Sequence, residues 1–168
     1  MKHFFCDELL FVDLGMSTIH LRPARQEDIP TLKLFEQGVI DAERPYDQTL
    51  KQETFHYYDL GQLIASDHSL LIVACDGDQI VGSGYAQLRA AKDYQTFETY
   101  AYLGFMYVVP EHRGRRINQM IISSLKNWSL SKGVRQMKLE VYAGNVPAIK
   151  AYEKAGFKAN LVEMAMSL

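Results

Sequence analysis

The spacing of hydrophobic and polar residues alternates along the chain between the two-residue period of strands and the longer period of helices. In the first half, Asp28 and Pro30 mark a helix start, and Asp76-Gly77-Asp78 lies between two apolar runs as a hairpin turn. Gly82 and Gly84 indicate a bulge or a close backbone approach in the second hairpin strand. The elements predicted in this half are a strand at Thr18–Arg22, a helix at Ile29–Val39, a long aromatic-rich connection over 41–67 that becomes helical around Leu60, Leu63 and Ile64, and antiparallel strands at Leu70–Cys75 and Ile80–Leu88.

The second half of the chain predicts a unit of strand, helix and strand. Tyr102–Val109 is an apolar β run, after which apolar residues recur at helical spacing from Ile117 to Trp128. Residues 137–142 alternate between apolar and polar side chains and form the second strand. A crossover of this kind makes its two strands parallel and leaves the connecting loop at the carboxyl end of the first strand, where ligands often bind.

The end of the chain predicts a capped helix and a closing strand. Asn145 is a suitable N-cap, Pro147 lies in the first turn, and Gly156 ends the helix. Leu161–Met166 supplies the closing strand. Together the elements predict a mixed α/β sandwich.

Composition and charge indicate one ordinary globular domain. The 168 residues include 48% hydrophobic and 23% charged residues, close to the average of soluble domains. Because 18 Lys and Arg residues stand against 20 Asp and Glu residues, the formal net charge is −2, without the basic excess of a nucleic-acid-binding domain. We therefore expect one domain over residues 18–168, an N-terminal extension over residues 1–17, and no nucleic-acid partner.

No segment of the sequence suits a membrane span or a secretion signal. The longest apolar run, Tyr100–Val109, has ten residues, about half of what a membrane-spanning helix needs. Met1–Val12 carries two acidic residues in its apolar stretch and lacks a small-residue cleavage site. Cys6 and Cys75 form no Cys-x-x-Cys pair, and no two of the five histidines have metal-ligand spacing. We expect a cytoplasmic protein with reduced thiols, no membrane partner and no metal.

Three arginines crowd the predicted start of the helix that follows Tyr102–Val109. They are Arg113, Arg115 and Arg116. A positive charge beside the positive end of a helix dipole destabilises the helix by about 0.3–1 kcal/mol. Free amides at a helix start together with guanidinium groups make a phosphate site, which a pyrophosphate would fill. The alternative is a solvated basic turn, and the pattern favours the phosphate site.

The helix after Asn145 carries a candidate proton donor. Tyr152 lies seven positions after Asn145, two turns along nearly the same face. Each residue has a purely structural interpretation, Asn145 as a cap and Tyr152 as core packing. However, an anion-binding loop after one strand and a tyrosine on the helix after the parallel partner strand place a phosphate site and a proton donor in one cleft.

These two stretches resemble motifs of the GNAT superfamily of N-acetyltransferases, which move the acetyl group of acetyl-CoA onto an amine, and the resemblance covers nearly the whole chain. The family's loop reads Gln or Arg, two free positions, Gly, one free position, and then Gly or Ala. Arg113 matches its first position, whereas Arg116 and Asn118 occupy the two small-residue positions, a departure that bears on cofactor affinity. Residues 145–157 match the family's final motif more closely, with Asn followed by Ala, Tyr, Lys and Gly-Phe.

The resemblance implies an acetyl-CoA-dependent N-acetyltransferase that acts on a primary amine by direct attack in a ternary complex. It also implies a mixed, mostly antiparallel sheet with a central parallel βαβ pair and helices on both faces. Tyr152 would protonate the departing thiolate, Asn145 would contact the pantetheine arm, and the backbone of Met106 and Val108 would pair with the pantetheine amides like an added strand. The cofactor-binding residues implied are Met106, Val108, Arg113, Gly114, Arg115, Arg116, Ile117, Asn118, Asn145 and Tyr152.

The acceptor is expected to bind beside residues 41–67, because the long connection after the first helix covers the acceptor side in this fold class. Its aromatic residues either surround a cationic amine or pack on the sheet as a lid. The stretch 43–47, followed by 57–59, resembles a pattern of bacterial family members whose substrate is unassigned. A small amine, an amino acid, a peptide terminus and a protein lysine all stay open. The substrate-binding candidates are Glu43, Arg44, Tyr46, Asp47 and Glu98.

The reaction needs a base, because a lysine-like amine has a pKa of about 10.4 and is charged at neutral pH. Many relatives use a carboxylate on the strand before the loop, but Tyr100–Val109 contains no acidic residue. The nearest candidates are Glu98, Asp47 and His112, acting directly or through ordered water.

Two other functions stay open at this stage. A CoA-binding regulatory module with weak or no turnover is supported by Arg116, Asn118 and the missing strand acid. A nucleotide-binding module using the same arginine turn is disfavoured, because the chain has no glycine-rich phosphate loop. Separately, the apolar residues of the extension predict a homodimer interface, with docking on the same domain as the alternative. These residues are Phe4, Phe5, Leu9, Leu10, Phe11 and Val12.

Overall fold

A computed structural model describes residues 12–13 and 18–166 of the chain, which form an α/β fold. Short 3-10 turns cover Gln26–Asp28 and Pro110–His112. The elements are β1 (Val12–Asp13), β2 (Thr18–Pro23), α1 (Ile29–Glu43), α2 (Leu60–Ala65), β3 (Ser69–Asp76), β4 (Gln79–Ala90), β5 (Thr99–Val108), α3 (Ile117–Ser131), β6 (Met137–Lys138) and α4 (Val146–Lys154). The predicted strands and helices up to α3, and the capped helix α4, are confirmed, with α1 one turn longer than the sequence pattern indicated.

The described strands form one sheet whose spatial order is the chain order, β1 to β6. Neighbouring strands are antiparallel from β1 to β5, and only β5 and β6 are parallel, joined by α3. The predicted fold class, with its βαβ unit, is confirmed. The parallel pair lies at one end of the described sheet rather than at its centre.

Two predicted strands differ from the structure. The strand expected over 137–142 is only Met137–Lys138, because it pairs with Ala101 and Tyr102 and the two chain segments then separate. Leu161–Met166 forms no strand, and its apolar side chains are 76% to 90% exposed. Apolar β-formers become a strand only where a partner edge and a packing surface receive them, and neither segment gains both here.

Helices cover both faces of the sheet and build two hydrophobic cores. On one face, Leu32 and Phe35 of α1 pack with Leu60 of α2 against the inner side chains of β3 to β5. On the opposite face, buried residues of α3 such as Ile121 pack against the sheet, and Tyr152 of α4 joins them. The sheet therefore separates α1 and α2 from α3 and α4.

A bulge in β5 interrupts its pairing with β4. The register shifts opposite Gly84, and Phe105 has a positive φ of 55°, which an L-residue rarely adopts. Gly84 is required there, because a Cβ atom would lie 2.6 Å from Sδ of Met106 and 2.7 Å from Cγ2 of Ile121. The close backbone approach predicted from the glycines is confirmed at Gly82, where a Cβ atom would lie 3.0 Å from the carbonyl oxygen of Tyr107. We call the space between residues 103–108 of β5 and residues 139–145 the opening.

Some of the features predicted from the sequence lie outside the described residues. Val12–Asp13 pairs with β2, but the rest of the predicted extension, including its apolar arm and Cys6, lies outside them, so the dimer interface stays a prediction. Cys75 is a free, buried cysteine. Within residues 12–13 and 18–166 no helix is long and apolar enough to cross a membrane, and no group of three His, Cys, Asp or Glu side chains is placed to hold a metal ion.

Candidate active site

The loop between β5 and α3, residues 109–116, presents backbone amides at one end of the opening, and we call it the arginine loop. Gly114 and Arg116 have positive φ angles of 78° and 62°, which turn the chain sharply into α3. The Arg116 side chain makes no capping hydrogen bond to α3. Since the first amides of a helix have no partner within it, those of Ile117 and Asn118 are available to an anion, beside the exposed guanidinium of Arg116.

Asp76, at the end of β3, holds this loop in place. Its Oδ2 atom lies 3.1 Å from Nε2 of His112 and 3.4 Å from Nη1 of Arg115. Nδ1 of His112 is buried and has no hydrogen-bond partner among the described residues. His112, one of the three candidate bases, therefore helps to hold the loop through its contact with Asp76.

The end of β5 directs polar backbone groups towards the opening. The amide of Val109 donates to the carbonyl oxygen of Val81 on β4 at 3.0 Å. Because successive residues of a strand face opposite sides, the backbone of Val108 faces away from β4. Its carbonyl oxygen accepts from Nε of Arg113 at 3.1 Å, which leaves its amide for a ligand. Ile117 of the predicted loop is a core residue, 2% exposed.

On the other side of the opening, α4 presents Tyr152. The Asn145 side chain caps the helix by accepting from the amide of Ala148 at 3.3 Å, and Pro147 lies in the first turn. The Tyr152 ring packs edge-on against Phe157, with centroids 6.0 Å apart. Burial, with a further effect of the Glu43 carboxylate, raises the pKa of Tyr152 to about 12, so its hydroxyl keeps its proton at neutral pH.

The connection after α1 brings acidic and aromatic side chains to the same region, which we call the acidic-tyrosine cluster. Its members are Glu43, Tyr46, Asp47, Tyr57 and Tyr142. Tyr142 donates to Oδ2 of Asp47 at 2.9 Å and stacks on Tyr46 at 6.4 Å between centroids. Burial raises the pKa of the Glu43 carboxyl, although the Tyr57 hydroxyl donates a hydrogen bond to it.

Of the other substrate-binding candidates, Arg44 lies near Tyr57 of that cluster, where its positive charge partly offsets the rise in the Tyr57 pKa, and Glu98 lies apart from the cluster. Arg44 is turned back on its own connection, where Nη1 donates to the carbonyl oxygen of Lys51 at 2.6 Å and Nε lies 3.5 Å from Asp41. Glu98 precedes the first residue of β5, at the opposite end of that strand from the arginine loop, and its carbonyl oxygen accepts from Ala91. A ten-residue strand is about 30 Å long, so the structure does not bring Glu98 together with the loop.

The sequence analysis missed Glu36, which holds the segment carrying Tyr57. Its carboxylate is fully buried and accepts from the amides of Tyr57 at 2.6 Å and Tyr58 at 2.9 Å. Nδ1 of His56 lies 2.6 Å from the same carboxylate. The available signal was a glutamate four positions after Leu32, on the apolar face of α1.

Comparisons with known proteins agree on one family. The model of the acetyltransferase (GNAT) family matches residues 35–157. Aminoglycoside N(6')-acetyltransferase type 1 of Salmonella typhimurium is 25% identical over 107 residues, which are 61% of this chain and 72% of that protein. Streptothricin acetyltransferase of Escherichia coli is 30% identical over 69 residues, 41% of this chain, and the match spans 40% of that relative's length.

A solved structure supports the fold. A predicted acetyltransferase from Clostridium acetobutylicum, crystallised with acetyl-CoA, superposes with a TM-score of 0.67 at 17% sequence identity. The superposition covers 89% of this chain and 96% of that chain.

Proposed function

The chain belongs to the GNAT acetyltransferase family, and from this premise we propose that it transfers the acetyl group of acetyl-CoA to a primary amine of a cationic small molecule, by direct attack in a ternary complex. The observation that carries the proposal is the opening, with uncapped amides of α3 at one end and the protonated Tyr152 hydroxyl beside it.

The α3 amides and the arginine loop hold the pyrophosphate of acetyl-CoA. A pyrophosphate supplies the acceptor oxygens that helix amides and guanidinium groups bind. Arg116 and Arg113 are exposed, and Arg115 is kept near the loop by Asp76. The pantetheine arm runs along β5, beside Met106 and the free amide of Val108, and reaches Asn145 across the opening. That the Clostridium relative was crystallised with acetyl-CoA supports this co-substrate.

Tyr152 acts as the general acid. The amine nitrogen attacks the thioester carbonyl, the carbon–sulfur bond breaks, and the Tyr152 hydroxyl gives its proton to the departing thiolate. Cys75 is buried in β3 on the α1 face, in contact with the core, and does not face the opening. Direct transfer therefore fits this site better than an acyl-cysteine intermediate.

The acceptor is a cationic amine, because its side of the opening carries Glu43 and Asp47 among tyrosine rings. Carboxylates attract a cation, and the ring faces of Tyr46 and Tyr142 favour one further. The aminoglycoside and streptothricin acetyltransferases among the relatives act, by their names, on molecules of this kind, which makes such compounds the first to test.

The experiment follows release of free CoA thiol from acetyl-CoA with a panel of amines. The panel holds an aminoglycoside with a free 6′-amine, streptothricin, spermidine, lysine and a peptide. We expect turnover with at least one small cationic amine. Tight acetyl-CoA binding without turnover of any amine would instead support a regulatory CoA-binding module, and binding of ATP in preference to acetyl-CoA would support a nucleotide-binding module.

The cofactor site is tested by removing two guanidinium groups. Arg113→Ala with Arg115→Ala should raise the acetyl-CoA dissociation constant at least tenfold, and the difference from the wild type should shrink as salt screens the charges. Arg135→Ala, which removes an exposed arginine beyond the far end of α3, is the matched control and should bind normally. Unchanged affinity in the folded double variant would end this assignment.

A further inference from the structure

The attacking amine must lose a proton, and the structure offers one carboxylate in the right surroundings to take it. We infer that Glu43 is the general base of the reaction, an assignment that rests on the proposed function. It differs from the three bases suggested by the sequence, Glu98, Asp47 and His112.

The packing of α1 places Glu43 at the opening. Gly38 lies against the ring of Tyr107 on β5, where a Cβ atom would be 2.6 Å from the ring, and Phe35 contacts the same ring at 5.0 Å between centroids. The last turns of α1 therefore run along the second half of β5, the part without a parallel partner. Glu43 is the final residue of α1, just beyond that contact.

Glu43 and Tyr152 belong to opposite faces of the sheet and still act on each other. Tyr152 packs with the α3 core, whereas Glu43 ends a helix of the α1 core. The connection that follows Glu43 nevertheless reaches residues 139–145, where Tyr142 donates to Asp47 at 2.9 Å and Tyr46 lies against Gly144. In agreement with this placement, the charge of the Glu43 carboxylate raises the pKa of Tyr152. The described pairing of β5 with its parallel partner ends at Tyr102 and Lys138. The opening beyond that point is where the side chains of Glu43 and Tyr152 face each other. A thioester in that gap would have an acid on one side and a base on the other.

The surroundings of Glu43 suit a base better than those of Asp47. The groups facing Glu43 are Tyr57, which donates to it, Asp47, Tyr58, Tyr142 and Tyr152. The Arg44 guanidinium acts on Tyr57 by its charge and donates to the carbonyl oxygen of Lys51. Asp47 accepts from the Thr49 hydroxyl at 2.6 Å, from the Thr49 amide at 2.8 Å and from Tyr142, which lowers its pKa. A carboxylate already satisfied in this way is a weak proton acceptor.

The protons balance as follows. The Glu43 carboxylate takes one proton from the ammonium group, and the neutral amine nitrogen bonds to the thioester carbonyl carbon. The carbon–sulfur bond breaks, Tyr152 gives its proton to sulfur, and the second nitrogen proton returns to Tyr152 as the amide forms. The products are the N-acetyl compound and CoA thiol, and Glu43 releases its proton to solvent.

The test is Glu43→Gln, which keeps the shape of the side chain and an acceptor for Tyr57 but takes no proton. We expect kcat to fall by about 10²–10⁴, with the acetyl-CoA dissociation constant unchanged. The loss should be smaller for an α-amine acceptor of pKa about 7.7–8.0 than for a lysine-like amine of about 10.4, because the former is more often neutral. The acidic limb of the kcat/KM profile should also move to the pKa of the acceptor amine, because only its neutral form then reacts. Glu53→Gln, an exposed glutamate of the same connection, is the matched control and should behave as wild type.

The outcomes separate this inference from the function on which it rests. Wild-type turnover with an equally fast Glu43→Gln variant overturns the assignment of Glu43 and leaves the acetyltransferase intact. A loss that is identical for amines of low and high pKa, with the position of the acidic limb unchanged, shows a structural role and also overturns it. If the wild type acetylates no amine although acetyl-CoA binds, the proposed function fails and the inference fails with it. Glu43→Asp keeps a carboxylate and should therefore be more active than Glu43→Gln. Equal activity of the two variants would contradict a role for the carboxylate as base.

Discussion

Burial acts on single residues of the site in ways that depend on their chemistry. For Tyr152, burial raises the pKa to about 12, so the neutral, proton-donating form persists through the physiological range. For Glu43, burial raises the pKa above that of an ordinary glutamate, so the ionised form takes a proton more readily. The same physical cause thus favours an acid in one place and a base in the other.

Tyr152→Phe removes only the hydroxyl and tests the acid. We expect kcat to fall by about 10²–10⁴, while acetyl-CoA binds as before, because the ring and its contact with Phe157 remain. Wild-type kcat should show no loss of this acid between neutral pH and pH 10, since the raised pKa keeps the hydroxyl protonated. Tyr94→Phe, which alters an exposed tyrosine, is the control. Normal turnover by the Tyr152 variant would leave this ring a packing role only.

At the same scale, the sequence predicted Asn145, Tyr152 and the arginine loop, because each belongs to a local motif. Glu36 and the role of Glu43 depend on which distant segments meet α1. Local spacing carries no record of the Tyr57 and Tyr58 amides that make a buried glutamate acceptable.

At the scale of elements, α1 holds the connection that follows it through one buried carboxylate. Glu36 holds residues 56–58 against the helix, and Tyr58 then packs on Phe105 at the β5 bulge, with centroids 5.0 Å apart. The bulge, the connection and the helix are therefore joined by contacts into one packed unit.

Glu36→Gln tests this unit. Both backbone amides bind Oε1, so the Gln carbonyl oxygen keeps them with weaker, neutral hydrogen bonds and turns its NH2 group towards Nδ1 of His56. A hydrogen bond to a charged acceptor contributes about 1.5–3 kcal/mol, against about 0.5–1.5 kcal/mol for a neutral one. Amide hydrogen exchange at Tyr57 and Tyr58 should become about ten times faster or more, with little change in α3. Glu27→Gln, at an exposed glutamate, should leave both amides protected. Unchanged exchange in the Glu36 variant would show that other contacts hold this segment.

Helices and strands were predictable where their apolar residues pack on neighbouring elements in the structure. The β3–β4 hairpin and α3 have local turns and continuous apolar faces, and both were predicted well. Residues 139–142 and 161–166 have strand-like patterns but no paired edge. The absence of described pairing after Met137–Lys138 also leaves the opening, at the end of the parallel strands where the sequence pattern predicted a cleft.

At the scale of the whole molecule, tyrosines pack between the sheet and its surroundings. Burial is the main cause that raises the pKa of six of them above the ordinary value of 10.0. They are Tyr57, Tyr58, Tyr85, Tyr102, Tyr142 and Tyr152. The folded state therefore holds protons that the unfolded chain would release in alkali.

Stability should fall steeply in alkali. Below pH 10 these tyrosines are neutral in both states, and their contribution is fully present. Between pH 10 and about 12, the range set by Tyr152, the unfolded chain ionises first. The free energy of unfolding then drops by up to about 1.4 kcal/mol per pH unit for Tyr152, and the exposed Tyr57 contributes less because solvent screens its surroundings. Urea unfolding at several pH values, with tyrosinate absorbance as a second signal, measures this. A constant urea midpoint from pH 9 to 12 would contradict the burial of these hydroxyls.

Whether acetyl-CoA binds in the opening is tested most directly by an amide NMR titration of the full chain with acetyl-CoA. We predict saturable shifts at Val108, at residues 113–118 and at Asn145, the two sides of the opening, with the largest changes at the uncapped start of α3. Saturable binding whose shifts lie elsewhere, or no binding at millimolar acetyl-CoA, would contradict the claim that this opening is the acetyl-CoA site.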